Sequence, residues 1–294
     1  MSDTGVVDAP AKVNLFLRVL HRRADGYHEL ETLFQAIDLA DEVRVEVGGG
    51  RVELEVEGAD LGPPEENLAF LAASGFCSEA GLEVGVKIYL TKRIPVGAGL
   101  GGGSSDAAAV LKCLRCLLGG FDGERRLDTL GVALGSDVPF FLGGSALAWG
   151  TGRGELLEPL RPLPEADLVS ISPPVQVSTA AAYSALASAR IGEAPDPEPP
   201  TAGRPTSWRD VEAVARNDFE PVIARAYPEV ARSLEALEDA GASVALLSGS
   251  GSTSFGLFAD RAAAESAADS LTAELGWPCR AIRTLAALPV PGLR

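Results

Sequence analysis

The stretch PVGAGLGGGSSDAA, residues 95–108, decides how the rest of the chain is interpreted. Five of its residues are glycines, which lack a Cβ, so the backbone can take positive φ angles and approach a ligand closely. Ser104, Ser105 and Asp106 follow, and each could cap the apolar helical pattern after them. A helix that begins at such a loop directs free N–H groups and the positive end of its dipole at the loop. The stretch therefore predicts a phosphate-binding site.

Two common nucleotide-binding loops fit this stretch poorly. A Walker-type P-loop requires Lys followed by Ser or Thr after the last glycine, whereas Gly103 is followed directly by two serines. Residues 97–102 match the dinucleotide pattern GxGxxG, but Pro95 interrupts the junction from strand to turn. A glycine-rich loop, 119–123, also stands where a second strand should end in an acid. An oxidoreductase that binds a nicotinamide cofactor here is therefore the weaker alternative.

The bulk composition predicts an ordinary globular protein. The chain has 294 residues, of which 46% are hydrophobic, which suggests one large or two modest domains. A net charge of −16 disfavours nucleic acid and anionic membrane surfaces as partners. Four cysteines are too few to form a disulfide framework in a chain of this length. The N-terminal segment also lacks a signal-peptide pattern, so we expect a cytoplasmic protein. The proline-rich segment 191–205 is predicted to be a loop.

Hydrophobic periodicity predicts an α+β protein with mostly antiparallel strands. Strict alternation over 11–20 predicts a strand that carries Lys12 and Asn14 on its polar face. Alternation over 42–47 and 51–57, with three glycines between, predicts a hairpin. Apolar residues at helical spacing then predict a helix over 107–118.

Two turns carry side chains suited to chemistry. Asp137 precedes the apolar run Phe140–Leu142, which holds its turn against a core, and such turn residues are favoured catalytic positions. The alternative is that Asp137 only caps the following turn. A second turn presents Tyr27 beside His28, an aromatic face and a hydrogen-bonding ring that together suit a nucleobase.

These segments resemble the GHMP kinase superfamily. Its loop reads Pro-x-x-x-Gly-Leu-Gly-Ser-Ser-Ala-Ala, and this chain fits it apart from two extra glycines before the serines and Asp106 after them. The pairing of PAKVNLFL (10–17) with DGYHEL (25–30) is similar to one branch, whose substrate is a cytidine-diphosphate-linked methylerythritol. The segment LGSDVPFFLGGSALAWGTGRGE, 134–155, stands in the same order and spacing.

The resemblance implies a two-domain α+β fold. The N-terminal domain, 1–155, would be like ribosomal protein S5 domain 2, and the C-terminal domain, 156–294, would be ferredoxin-like, with the active site in the cleft between them. It implies an ATP-dependent kinase that uses Mg²⁺, although no metal-binding acid is obvious. The substrate hydroxyl would be the 2-hydroxyl of the methylerythritol group, in the non-mevalonate pathway of isoprenoid synthesis. The partners would be this small cytidyl substrate, no nucleic acid and no membrane, with a monomer or homodimer as the assembly.

The resemblance also assigns site residues. By that resemblance, Lys12 and Asp137 are the catalytic residues. ATP would contact the residues Pro95, Val96, Gly97, Ala98, Gly99, Leu100, Gly101, Gly102, Gly103, Ser104 and Ser105, with its adenine near Asn67. The substrate would contact Asn14, Tyr27, His28, Tyr183, Ser248 and Gly249. A GHMP kinase of another small alcohol is the main alternative, and a catalytically silent binding protein is disfavoured because Lys12 and Asp137 are both present.

Overall fold

Strands and helices follow one another in runs, and most strand pairs are antiparallel, as expected for an α+β protein. The computed structural model describes residues 3–119, 124–191 and 204–293, so most of the loop predicted over 191–205 lies outside the described residues. The strands are β1 (Thr4–Arg22), β2 (His28–Val47), β3 (Val52–Glu57), β4 (Val86–Thr91), β5 (Leu147–Gly152), β6 (Leu156–Pro159), β7 (Asp167–Ile171), β8 (Arg216–Asn217), β9 (Val244–Leu247), β10 (Ser254–Phe258), β11 (Cys279–Arg283) and β12 (Gly292–Leu293). The helices are α1 (Leu68–Ala80), α2 (Gly102–Leu118), α3 (Glu124–Leu134), α4 (Val138–Leu142), α5 (Thr179–Ala189), α6 (Trp208–Val214), α7 (Glu220–Ala226), α8 (Pro228–Asp239) and α9 (Arg261–Leu275).

The first sheet is organised around the long pair β1 and β2. Within the described ranges it has eight strands: the order β12-β1-β2-β4-β3 forms its main path, β5 pairs with β2 and β6, and β8 pairs with β1. Strands β8 and β12 come from the second half of the chain, so the chain returns twice to this sheet. The division at residue 155 stays a proposal.

The hairpin predicted over 42–47 and 51–57 is wrong. Strand β4 lies between the two segments, antiparallel to β2 and parallel to β3. The glycine turn, residues 48–50, is hydrogen-bonded to the residue that precedes β4. Gly48 N donates to the carbonyl of Gly85, and Gly85 N donates to the carbonyl of Gly49. Alternation shows which face of a strand is buried but does not show which strand is its neighbour.

The second sheet is confirmed as ferredoxin-like. Its order is β11-β7-β10-β9, and all neighbours are antiparallel. The chain therefore crosses from β7 to β9 over β10 and from β10 to β11 over β7. Helices α5–α8 lie along the first crossing and α9 along the second. Two interlocked βαβ units of this kind define the arrangement.

The two sheets share a hydrophobic core that buries both faces of β1. Val13 and Leu33 of the first sheet pack with Leu168, Phe255 and Ile282 of the second. The opposite face of the first sheet is covered by α1 and α2. Residues 9–19 of β1 are all buried in consequence. Lys12 is therefore buried. The alternation of polar and apolar residues along β1 does not predict this, because it indicates a solvent-exposed polar face. No helix in the described ranges is both long enough and apolar enough to cross a bilayer.

Candidate active site

Lys12 lies at the centre of the site and is almost fully buried, at 4% exposure. Its Nζ donates to Asn14 Oδ1 at 2.6 Å and lies 3.7 Å from Asp137 Oδ2. Asn14 in turn donates to Thr32 Oγ1 at 2.7 Å, and Thr32 donates to the carbonyl of Phe16 at 2.8 Å. Burial lowers the pKa of Lys12, and attraction to Asp137 only partly offsets that effect. The hydrogen bond to Asn14 and the contact with Asp137 fix the Lys12 side chain within the cavity that it lines.

Asp137 directs its carboxylate at this lysine instead of capping a helix. It stands directly before α4, yet its side chain makes no capping hydrogen bond. Val138, Phe140 and Phe141 of α4 are buried and hold the turn in place. The carboxylate keeps 27% exposure, so it can face both Lys12 and a ligand. The capping alternative for Asp137 is therefore wrong.

The glycine loop and the second glycine turn, 248–252, interlock through their backbones. Ser248 Oγ donates to the carbonyl of Gly99 at 3.0 Å, and Thr253 N donates to that of Ala98 at 3.1 Å. Gly99 has φ +79°, and a Cβ there would lie 2.1 Å from the Ser248 carbonyl oxygen. Lys12 N also donates to the carbonyl of Leu100 at 3.0 Å. Both turns are thereby fixed against the strand that carries Lys12.

Helix α2 begins earlier than predicted, at Gly102. Its N-cap is Gly101, at φ 72°, so the expectation that Ser104, Ser105 or Asp106 caps the helix is wrong. A glycine can take this left-handed conformation without the strain that a Cβ would cause. The first helical hydrogen bond runs from Ser105 N to the Gly101 carbonyl, which leaves the N–H groups of 102–104 for a ligand. These are the groups that a phosphate would accept from.

The start of α2 rests on a buried ionic network that sequence analysis missed. Lys92 Nζ pairs with Asp41 Oδ2 and, at 2.7 Å, with Asp106 Oδ2. Asp41 also accepts hydrogen bonds from the backbone N–H groups of Arg93 and Ile94. Burial raises the pKa of Asp106 to about 7, although attraction to Lys92 opposes the rise. A Cβ on Gly102 would lie 3.3 Å from Lys92 Nζ, so the network lies directly beneath the loop.

A second cluster, of aromatic and basic side chains, surrounds the predicted base-binding turn. Tyr27 is 55% exposed, and the guanidinium of Arg153 lies over its ring at 4.7 Å. His28 stacks on Tyr183 with 4.8 Å between ring centroids, and Phe219 meets Tyr183 edge-on at 4.9 Å. One face of Tyr183 is therefore already occupied. Arg153 was missed by sequence analysis, although its position between two glycines in GTGRGE was a usable signal.

Two adjoining cavities bring half of the predicted site residues together. The inner cavity, about 420 Å³, and the outer cavity, about 770 Å³, share Arg153 and Tyr183 as lining residues. Predicted residues that line the inner cavity are Lys12, Asn14, Gly97, Gly99, Gly101, Asp137, Tyr183 and Gly249. Predicted residues that line the outer cavity are Tyr27, His28 and Tyr183.

The remaining predicted residues support the glycine loop or flank it. Asn67 caps α1 by accepting from Ala69 N at 2.8 Å. A Cβ on Gly103 would lie 3.7 Å from Leu68, so the starts of α1 and α2 are adjacent. Val96 is 46% exposed, and the buried Oγ of Ser105 has no hydrogen-bond partner. Pro95 and Val96 directly precede Gly97, the first glycine of the loop. Ser104 Oγ would lie 3.5 Å from a Cβ on Gly135, next to the Asp137 turn.

Comparison with known proteins shows similarity to GHMP kinases over most of the chain. The family model of the GHMP kinases N terminal domain matches residues 67–145, and that of the GHMP kinases C terminal matches 206–276. A 4-diphosphocytidyl-2-C-methyl-D-erythritol kinase from Geobacter metallireducens is 46% identical, with 94% of this chain and 97% of that protein covered. A protein of the same name from Pelotomaculum thermopropionicum is 45% identical, with 86% and 88% covered.

Solved structures give the same picture. A crystal structure of 4-(cytidine 5'-diphospho)-2C-methyl-D-erythritol kinase superposes with a TM-score of 0.80 at 38% identity, with 95% of this chain and 98% of that chain covered. Homoserine kinase from Cytophaga hutchinsonii gives a TM-score of 0.73 at 21% identity, with 100% and 98% covered. The second likeness shows a common fold alone.

Gly99→Ala is expected to destabilise the protein more than Gly97→Ala. Both residues have positive φ, so an alanine at either position carries a backbone cost of about 1–2 kcal/mol. Only at Gly99 would the new Cβ also collide with the second turn, whereas nothing lies within 4 Å of a Cβ on Gly97. Thermal unfolding of both variants measures the difference. Equal losses in Tm would contradict the interlock of the two turns.

Asp106→Asn is expected to gain stability relative to the parent protein as the pH rises from about 4 to about 7. The folded state keeps a proton on Asp106 up to about pH 7, whereas an unfolded aspartate loses it near its ordinary pKa of 3.8. The parent protein therefore loses stability across that window, and asparagine removes the titration. Thermal unfolding at several pH values tests this, with the exposed Asp269→Asn as the control for loss of one charge. Parallel curves for Asp106→Asn and the parent protein would contradict the raised pKa.

Proposed function

Because the chain belongs to the 4-diphosphocytidyl-2-C-methyl-D-erythritol kinases of the GHMP kinase family, we propose that it transfers the γ-phosphoryl group of ATP to the 2-hydroxyl of that substrate. The observation that carries the proposal is the Lys12–Asp137 pair, 3.7 Å apart, in an inner cavity that both glycine turns border. The reaction would serve isoprenoid precursor synthesis by the non-mevalonate pathway. The alternatives of another small alcohol or a nicotinamide cofactor have no comparable support.

The inner cavity suits phosphoryl transfer because it combines N–H donors, a cation and a carboxylate. The N–H groups at the start of α2 and the backbone of the two turns hold the ATP phosphates. Asp137 accepts the proton of the acceptor hydroxyl or orients that hydroxyl. The hydroxyl oxygen forms a bond to the γ-phosphorus while the bond to the bridging oxygen of ADP breaks. Lys12 stabilises the negative charge of the transferring group, and such positioning and charge stabilisation supply most of the catalysis in this class of reaction.

The residues present are compatible with Mg²⁺ carried by the ATP phosphates. Among the residues that the structure describes, no cluster of three or more His, Cys, Asp or Glu side chains could hold a metal by itself. Mg²⁺ at nucleotide sites uses only one or two protein oxygens together with phosphates and water. The Asp137 carboxylate, which lines the inner cavity and keeps 27% exposure, can serve in that role. Bound there, the ion would neutralise phosphate charge.

The outer cavity would receive the cytidine end of the substrate. Its lining residues include Tyr27 for stacking and His28 for the base edge. Partial burial, together with Arg22 and Arg190, lowers the pKa of His28, so that ring is neutral near pH 7 and can both donate and accept. Arg153 lines both cavities, which places its charge where a diphosphate would cross from one to the other. A cytoplasmic location, a monomeric or homodimeric assembly and the lack of a nucleic-acid partner stay predictions.

An ADP-release assay with Mg·ATP tests the substrate and the role of Asp137 together. The acceptors are 4-diphosphocytidyl-2-C-methyl-D-erythritol, mevalonate, phosphomevalonate and homoserine, and we expect turnover with the cytidyl compound alone. Asp137→Asn should lower kcat about 10²–10⁴-fold, because the amide cannot accept the proton. Turnover with another alcohol would overturn the assigned substrate, and a near-normal kcat for the variant would overturn the role of Asp137.

Arg153→Ala is expected to raise KM for the cytidyl substrate at least about tenfold while KM for ATP changes little. An ionic hydrogen bond to a phosphate is worth about 1.5–3 kcal/mol, which corresponds to that loss. Arg153→Lys should recover part of the affinity, because it keeps the charge without the planar fork. Steady-state kinetics with each substrate varied in turn measures both constants. An unchanged KM for the cytidyl substrate in Arg153→Ala would contradict the proposed contact between Arg153 and the diphosphate.

A further inference from the structure

The backbone of the second glycine turn lies close to Lys12, the lysine proposed to act in catalysis. A Cβ placed on Gly249 would lie 3.3 Å from Lys12 Nζ and 3.5 Å from Asn14 Oδ1. The same Cβ would lie 3.1 Å from the carbonyl oxygen of Gly99. A shift of this turn by a fraction of an ångström would therefore change the surroundings of the lysine and of the phosphate-binding loop together.

Besides the bonds to the glycine loop, one buried amide helps to hold the turn in this place, that of Asn217, which is 5% exposed. Its Nδ2 donates to the carbonyls of Leu247 at 2.7 Å and Gly249 at 2.8 Å. Its Oδ1 accepts from Phe219 N at 2.9 Å. The side chain thus uses both N–H donors and its carbonyl acceptor.

Asn217 also connects this turn to the strand that carries Lys12. It belongs to β8, which pairs in parallel with β1 and places Asn217 opposite Leu17. The next residue, Asp218, donates from its backbone N to the carbonyl of Leu17 at 3.0 Å. Its Oδ2 accepts from Val19 N at 2.9 Å. The position of Asn217 is therefore set from β1, and its amide transmits that position to the turn.

We propose that Asn217 is a positioning residue for phosphoryl transfer. One of its N–H groups fixes the Gly249 backbone beside Lys12, and the other fixes Leu247 at the start of the same turn. Its acceptor fixes Phe219, which packs edge-on against Tyr183 in the substrate cavity. The inference rests on the proposed kinase function and deepens it. Asparagine is required because the site needs two donors and one acceptor in a single planar group of this length.

The chain offers a close control for this amide. Gln35 is 2% exposed, and its Nε2 donates to the carbonyls of Ala36 and Leu285 at 2.8 and 3.0 Å. Gln35→Glu therefore makes the same chemical change as Asn217→Asp: a buried amide that serves two carbonyls becomes a carboxylate. Asn217→Asp keeps the acceptor for Phe219 N, replaces the donors to the turn by a second acceptor oxygen and adds a buried negative charge, which Gln35→Glu adds as well.

The experiment compares kcat and both KM values of Asn217→Asp, Gln35→Glu and the parent protein, with thermal unfolding of each. We expect both variants to lose thermal stability, and only Asn217→Asp to lose kcat, by tenfold or more, with KM for the cytidyl substrate within threefold. Asn217→Ser, which buries no charge and also loses the contact to Phe219, should lower kcat and raise KM. It provides the same test if Asn217→Asp does not fold.

The outcomes separate the inference from the function beneath it. A parent protein without kinase activity on the cytidyl substrate would overturn the proposed function itself. An active parent with kcat values of Asn217→Asp and Gln35→Glu within twofold of each other would overturn the positioning role alone. Asn217→Ser at the kcat of the parent protein would overturn it as well.

Discussion

Backbone contact between two glycine turns is the constraint on which the rest of this site depends. The loop at 97–101 comes from the first half of the chain and the turn at 248–252 from the second, and they meet where a Cβ on Gly99 could not fit. Only glycine permits both the positive φ and the close approach. The contact brings N–H groups, Lys12 and the Asp137 turn around one cavity, so the cleft exists because the two halves of the chain meet at this point.

Buried charges form the second level of organisation. Burying an ammonium or a carboxylate is costly unless a partner compensates it, and Lys12 and Lys92 each have a carboxylate partner from a distant segment. Lys12 meets Asn14 and Asp137, whereas Lys92 meets Asp41 and Asp106. The first pair faces the cavity and is available for chemistry. The second lies beneath the start of α2, where it connects β2 and the end of β4 to that helix.

The sequence predicted the chemistry of the site better than its supports. The glycine loop stood out because its residue types and local spacing identify it, whereas the roles of Lys12 and Asp137 came from the family resemblance of the segments that carry them. Arg153 and Asn217 lack a local pattern of that strength, since each acts through contacts with residues far away in the chain. The hairpin failed for a related reason: local alternation fitted two strands that β4 separates. The start of α2 was misplaced because Gly101 caps it without any side chain.

By itself, the sequence determined the α+β class, the presence of a glycine loop of the kind suited to phosphate and the residue types available for phosphoryl transfer. These depend on periodicity, on glycine spacing and on side-chain chemistry, all of which act over a few residues. Only the tertiary structure decided strand order, the burial of Lys12 and the partners of each charge. Those properties arise when residues over 100 positions apart are packed together, as Lys12 and Asp137 are. The dielectric environment of Lys12 and the geometry of its hydrogen bonds are set only when those distant segments have packed together.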